Sequence, residues 1–289
     1  MTVNARRLHA RHRTELTYAG HARESVNEVR LVPTPCDRIW VEHAEITTEP
    51  EAEVNAHRDA FGNEVRWFQV VEAHERLVVD ASALVVCRDP LPVGSTLSPG
   101  EKWSALSTPE YEDAMAEYLV PSTFVAWGEA VADLARDLHV PTGGLVSRWV
   151  HELSAAVHGL VSYEKGVTTA DTPVETVAAL RRGVCQDLAH LTIALCRRQG
   201  VAARYVSGWL YEPARSEPSE SHAWIEAHVP GGGWVEVDPT HPEPVDSRYV
   251  RIGVGRDYAD VAPVRGTYVG DATVGMTVTV DIEELAPVA

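Results

Sequence analysis

The chain has 289 residues, 45 % of them hydrophobic and 23 % charged, the balance of a soluble globular protein with a substantial core. Its formal charge of −17, from 25 Lys and Arg against 42 Asp and Glu, repels phosphate backbones and anionic lipid, which excludes nucleic-acid and membrane partners. No run approaches membrane-spanning length, and the basic start "MTVNARRLHARHRTELTY" lacks the apolar core of a signal peptide, so a cytoplasmic location is expected.

Residues 1 to about 88 show alternating, β-branched runs, "ELTYAG", "IWVEHAEITTEP", "EVRWFQVVE" and "RLVVDASALVV", with a turn signal in "DAFGN". Short strands at this spacing predict an antiparallel β-sandwich, ended by the Pro- and Gly-dense "RDPLPVGSTLSPG". This gives an amino-terminal β domain with linker over 1–100 and a core over 101–289. Four helices follow in "TPEYEDAMAEYLV", "AWGEAVADLARDLH", "GLVSRWVHELSAAVHGLV" and "TPVETVAALRRG". Thr172 before Pro173, with Glu175 three residues on, reads as an N-cap with its capping-box acid. After residue 200 the pattern returns to strands, in "VAARYVSGWLYE", "SHAWIEAHV", "GWVEVDPT" and "ATVGMTVTVDIEEL". The fold class is α+β.

Between those blocks, "RRGVCQDLAHLTIALCRRQG" predicts a helix from about Cys185 to Gln199, with Leu188, Leu191, Thr192, Leu195 and Cys196 as its buried stripe and Gly200 as a C-cap. The four cysteines, Cys36, Cys87, Cys185 and Cys196, form no CxxC pair, and reduced thiols are expected, with a Cys36–Cys87 disulfide as the alternative. Cys185 and Cys196 are separated by about 16 Å of helix and cannot bond to each other. Cys196 reads as a core thiol. Cys185 stands in the first turn, where free N–H groups and the positive end of the dipole favour a thiolate and could hold an oxyanion. The helix alone does not separate a reactive thiol from an inert one.

A cysteine nucleophile needs a base and an orienting group. In "SHAWIEAHVPGGGWVEVDPTH", Ala223, Ile225, Ala227 and Val229 alternate with His222, Trp224, Glu226 and His228, and the next strand sets Val235 and Val237 against Trp234, Glu236 and Asp238. Closing the hairpin at "PGGG" with the apolar faces matched puts odd residues opposite odd ones, which brings His222 and Asp238 to one face. Alone, His222 is an ordinary strand histidine and Asp238 a turn cap. Trp224, beside His222 on that face, is placed to screen the pair from water, and Gln186, beside Cys185, is a further site-shaping candidate.

Taken together, "GVCQDLAHL", "ARYVSGWL", "SHAWIEAHVPGGGWVEVDPTH" and "GRDYADVAPVRGTYVG" resemble the bacterial transglutaminase-like family of the papain-like superfamily. "SVNEVRLVPTP" and "DAFGN" resemble the β domain that precedes its core. The resemblance implies Cys185 as nucleophile, His222 as general base and acid, and Asp238 as the residue orienting the imidazole. It also suggests Tyr163 in "SYEKG" as an aid to the oxyanion site. His241 departs from the Asn that related proteins often carry. The segment from Arg256 to Arg265 is expected to be an ion-paired loop bracing the site, and the acidic "YEPARSEPSES" a flexible loop near His222.

The expected activity is acyl transfer on peptide or protein amides through a Cys185 thioester, with hydrolysis ahead of transfer to an amine. No calcium loop is present, and no metal or cofactor is expected. The rival readings are a protein-glutamine transglutaminase, a non-catalytic peptide-binding module, and a metal hydrolase using His222, His241 and Asp238. The sequence gives no signal for oligomeric state.

Overall fold

A computed structural model describes residues 4–90, 102–214, 220–270 and 274–286. Most of the linker after residue 90 and the middle of "YEPARSEPSES" lie outside the described residues.

The amino-terminal part holds β1 (Ala5–Val29), β2 (Ile39–Glu49), β3 (Asn55–Arg58), β4 (Glu64–Val70) and β5 (His74–Arg88). All pairings are antiparallel, and the strands run β2-β5-β1-β4-β3. β1 is long enough to serve two sheets. Its first half pairs with β5, and its second half, past the positive-φ residues Gly20 and Glu24, pairs with β4. Leu8, Val79 and Ala81 from one half and Val29, Phe68 and Val70 from the other share one core.

The core begins with α1 (Pro109–Ala114), α2 (Glu129–Leu138) and α3 (Val146–Leu160). A two-residue parallel pair, β6 (Ser162–Tyr163) and β7 (Arg182–Gly183), then brackets α4 (Val174–Leu180) and leads directly into α5 (Cys185–Arg198). β8 (Ala203–Leu210), β9 (His222–Val229), β10 (Gly233–Val237) and β11 (Tyr249–Gly255) form an antiparallel sheet in the order β10-β9-β8-β11. After the short α6 (Tyr258–Val261) come β12 (Val264–Val269) and β13 (Val274–Leu285). The expected helices and strands are thus present, as an antiparallel β domain and an α+β core.

Three features go beyond the sequence reading. The last two strands pair with β1 across the division at residue 100: β13 along Arg7–Tyr18 and β12 along Arg23–Val29. Helix α4 starts at Val174 with Pro173 as its N-cap, and Glu175 caps α2, accepting from the N–H groups of Gly128, Ala130 and Val131 at 2.7, 3.0 and 3.0 Å. The residue before α2 is Gly128, which has no side-chain acceptor, so the orphan N–H groups are met by a neighbouring helix. Finally, α5 has no solvent face over most of its length, since every residue from Asp187 to Arg197 is buried between the sheet and the other helices. Among the described residues no helix is long and apolar enough to cross a membrane.

Candidate active site

The hairpin register is the odd-to-odd one that hydrophobic matching requires. Val235 opposes Ala227 and Val237 opposes Ile225, and these apolar residues pack on the side of α5. The other face is not open to water. Trp224 is fully buried there with Val206 and Tyr249, and Glu226 lies between Arg204 and Arg251. On this face His222 Nε2 hydrogen-bonds to Asp238 Oδ2 at 2.7 Å.

Asp238 is buried and its acceptors are filled. Oδ2 also accepts from the Tyr249 hydroxyl at 2.9 Å, and Oδ1 accepts from Thr240 N–H at 2.8 Å, so the residue orients the imidazole and caps its own turn. Asp238 takes Nε2 of the ring, and Cys185 lies close enough to favour the protonated imidazole as well. Trp224 lies under the ring, centroids 6.0 Å apart and planes at 24°, and meets Tyr249 edge-on at 5.3 Å. Gly208, opposite His222 on β8, makes room for that indole: a Cβ there would sit 2.2 Å from Trp224 Cη2.

The electrostatics follow from this arrangement. Burial works against an imidazolium at His222, but the hydrogen bond and charge of Asp238, with Cys185 nearby, outweigh it and hold the pKa up at about 10. Burial likewise pushes the Asp238 carboxyl up, and the His222 hydrogen bond and charge bring it below the usual carboxylate range. The pair therefore favours a proton on the ring beside a charged carboxylate.

Helix α5 presents Cys185 at its first position, half-buried. Asp187 shapes that turn: its Oδ2 accepts from Val184 N–H at 2.8 Å and from the Thr168 hydroxyl at 2.7 Å. The carboxylate lies so close to Gly183 that a Cβ there would sit 2.6 Å from it, which is why the "RRG" approach ends in glycine. Gln186 donates to the Ala170 carbonyl at 2.9 Å, tying the first turn of α5 to the loop before α4. Tyr163 pairs with Gly183 through β6 and β7 and is 49 % exposed, so it stands at the surface beside the Cys185 turn instead of in the core. Cys196 is buried, and all four cysteines are free.

The segment from Arg256 supports α5 from behind. Arg256 pairs with Asp260 at 2.9 Å, Asp257 accepts from Ala259 and Phe124 N–H, and Tyr258 N–H donates to His190 of α5 at 3.1 Å. Arg265 falls outside that loop, on β12 opposite Glu28. His241 sits with its ring 5.3 Å from that of His222, and donor atoms of His222, Asp238 and His241 lie within 4.8 Å of one another. A cation bridging them would have to displace the His222 and Tyr249 hydrogen bonds to a buried Asp238.

The structure thus brings Cys185, His222, Asp238 and Trp224 together, with Gln186 and Tyr163 at the rim. Tyr249, Gly208 and Asp187 are site-building residues that the motif reading passes over. Only Asp187 had a local signal, an acid three residues after a helix start.

Comparison with known proteins agrees with this picture. Residues 133–239 match the transglutaminase-like superfamily core and residues 8–86 the bacterial transglutaminase-like N-terminal region. An uncharacterized protein of Mycobacterium leprae is 31 % identical over 97 % of this chain and 99 % of its own length. Another, from Mycobacterium tuberculosis H37Rv, is 31 % identical over 96 % of this chain and 92 % of its own. A protein-glutamine gamma-glutamyltransferase of Pseudomonas aeruginosa is 27 % identical over 51 % of this chain and 21 % of its own length. Among solved structures, a Cytophaga hutchinsonii protein described as a candidate cysteine protease superposes with a TM-score of 0.77 at 21 % identity, over 99 % of this chain and 93 % of that one. The chain belongs to the bacterial transglutaminase-like family, with the family's amino-terminal β region ahead of a transglutaminase-like core.

Proposed function

We propose that the protein is a thiol-dependent acyl-transfer enzyme acting on peptide or protein amides, with Cys185 as nucleophile, His222 as proton carrier and Asp238 as its orienting group. The observation that carries this reading is the 2.7 Å His222–Asp238 hydrogen bond, made to a buried carboxylate, with Cys185 at the start of a helix and close enough to favour the same imidazolium. Such a pair stabilises thiolate and imidazolium together.

The thiolate attacks the amide carbonyl, forming the C–S bond and an oxyanion beside the first-turn N–H groups of α5. Collapse breaks the C–N bond, and the departing amine takes the proton from His222, leaving a thioester. In the second half, water gives a proton to His222 as it attacks, and thiolate departs. A primary amine in place of water makes the reaction a transamidation, a reading favoured by the similarity to the Pseudomonas aeruginosa glutamyltransferase. Hydrolysis is placed first because water is abundant and no amine-binding feature is evident among the described residues of the site. Tyr163 is assigned to the rim of the oxyanion site and Trp224 to excluding water behind His222.

The test is incubation of the chain and its Cys185→Ala variant with a peptide library, with and without a primary amine, read by mass. A gain of one water marks hydrolysis, and loss of ammonia with gain of the amine marks transfer. Products formed equally by Cys185→Ala would remove the thiol mechanism. A Cys185 that alkylates no faster than free cysteine at neutral pH would favour the peptide-binding module.

A further inference from the structure

Arg38 belongs to the amino-terminal domain but ends against the strands that carry the site. Cys36 and Ile39 exchange backbone hydrogen bonds of 3.1 Å, and the Arg38 carbonyl accepts from Arg88 N–H at 2.8 Å, which fixes this turn to the end of β5. Its side chain is driven inward, and the residue is 7 % exposed. There Nε and Nη2 donate to the two oxygens of Glu236 at 2.7 and 2.5 Å, and Nη1 donates to the Tyr249 carbonyl at 2.9 Å. Glu236 stands two residues before Asp238 on the same strand face, and the Tyr249 hydroxyl holds Asp238. One guanidinium therefore grips both strands that fix the carboxylate behind His222.

Charge makes the grip directional. Glu236 and Glu226 are direct cross-strand partners, a placement in which like charges repel. Glu226 is matched by Arg204 and Arg251, and Glu236 by Arg38. Without Arg38, the Glu236 carboxylate, its side chain 10 % exposed, would face Glu226 with only the more distant charge of Arg251 to offset it, and a shift of β10 away from β9 would relieve the repulsion. That movement lengthens the bond between Asp238, which follows β10, and His222 on β9.

We propose that Arg38 is a positioning residue for the thiol chemistry, through which the amino-terminal β domain sets the distance between Asp238 and His222. The proposal rests on the acyl-transfer reading and deepens it. Arginine suits the task because its planar fork meets both carboxylate oxygens and still spares a donor for the Tyr249 carbonyl; lysine offers one point charge.

The test is the pH dependence of Cys185 alkylation by iodoacetamide in the full chain, with Cys185→Ala as the blank for the other thiols. The carbon–sulfur bond forms as iodide leaves and the thiolate is the attacking species, so the acid limb reports the Cys185–His222 pair as a unit. Arg38→Met is expected to move that limb upward by about one pH unit, a loss of about tenfold in rate on the limb. Arg38→Lys should recover part of it. The double variant Arg38→Met/Glu236→Leu removes the orphaned charge, so it should keep the fold. It should regain part of the wild-type profile, because the repulsion between Glu236 and Glu226 is gone, but not all of it, because the hold on the Tyr249 carbonyl is gone too. A wild-type profile in the folded double variant, or in Arg38→Met, overturns the proposal and leaves Arg38 a purely structural ion. A wild-type Cys185 no faster than free cysteine is a separate result that removes the thiol reading and the proposal with it.

Discussion

At His222 two opposing effects can be weighed. Burial alone would leave the ring neutral, yet the Asp238 carboxylate bonded to it and the nearby Cys185 hold its proton to about pH 10. Departure of an amine requires that proton, so the alkaline limb of kcat/KM is expected near pH 10 instead of near 6.5, the ordinary imidazole value. Asp238→Asn removes the charge while keeping the shape. The limb should then move to lower pH by more than one unit, with a rate loss on the order of 10²–10⁴ at the optimum. A limb that stayed near 10 in the variant would show that Asp238 does not hold the proton. Same-face placement of His222 and Asp238 was legible in the sequence, because two apolar faces on a hairpin admit one register. Tyr249 was not legible: it lies in the uniformly buried β11, where no alternation marks the residue whose hydroxyl reaches Asp238.

Among the elements, the helices carry the site by meeting one another's unsatisfied ends. Glu175 shows how. Its pattern after Thr172 and Pro173 is that of a box closing its own helix, yet the carboxylate turns to α2 because Gly128 has no side-chain acceptor there. Local motifs record which residue is able to cap; they do not record whose N–H groups are left open. Helix α5 teaches the same about burial. Its apolar stripe was readable, but its complete enclosure depends on partners on every side, and the lack of charge between Leu188 and Cys196 was the only sign of it. Glu175→Ala should cost about 1 kcal/mol, rising toward ~2 for a cap serving three donors. The loss should lower the thermal midpoint at pH 7. Burial pushes the Glu175 carboxyl up, but the three N–H groups outweigh it and hold the pKa below the usual value, so the contribution is present above the carboxylate range and lost as pH falls through it. Wild type and variant should therefore converge in acid, a comparison made by urea titration at pH 7 and near pH 3.

Across the whole molecule, the two domains are interlocked more than a division at residue 100 implies. Alternation in the final segment identified a strand but not its neighbour, and β13 crosses back to run along β1. Asn63 of the "DAFGN" turn pairs both amide atoms with the Val254 backbone at 2.7 and 2.8 Å, and the Trp209 indole N–H donates to His12 at 3.0 Å. Each link takes one partner from the amino-terminal sheet and one from the core or its return strands, so unfolding either domain exposes buried polar groups in the other. Two buried histidines make this coupling measurable. Burial, with the Asp80 charge opposing it only in part, pushes His12 of β1 down to about 4. Burial does the same to His190 of α5, also to about 4, with the charge of Asp257 opposing and that of Arg197 reinforcing it. Folded values below the ordinary 6.5 mean that the unfolded chain binds more protons between pH 6.5 and 4, so stability falls across that window as pH drops. Each histidine contributes up to about 1.4 kcal/mol per pH unit. If the molecule unfolds as one unit, both act on a single transition although they lie in different domains. Calorimetry should then show one endotherm at every pH in the window, and His12→Gln, which keeps an acceptor for Trp209, should lower the slope of stability against pH by about one proton. Two endotherms, with only the one from the β domain responding to His12→Gln, would show that the links do not couple the domains.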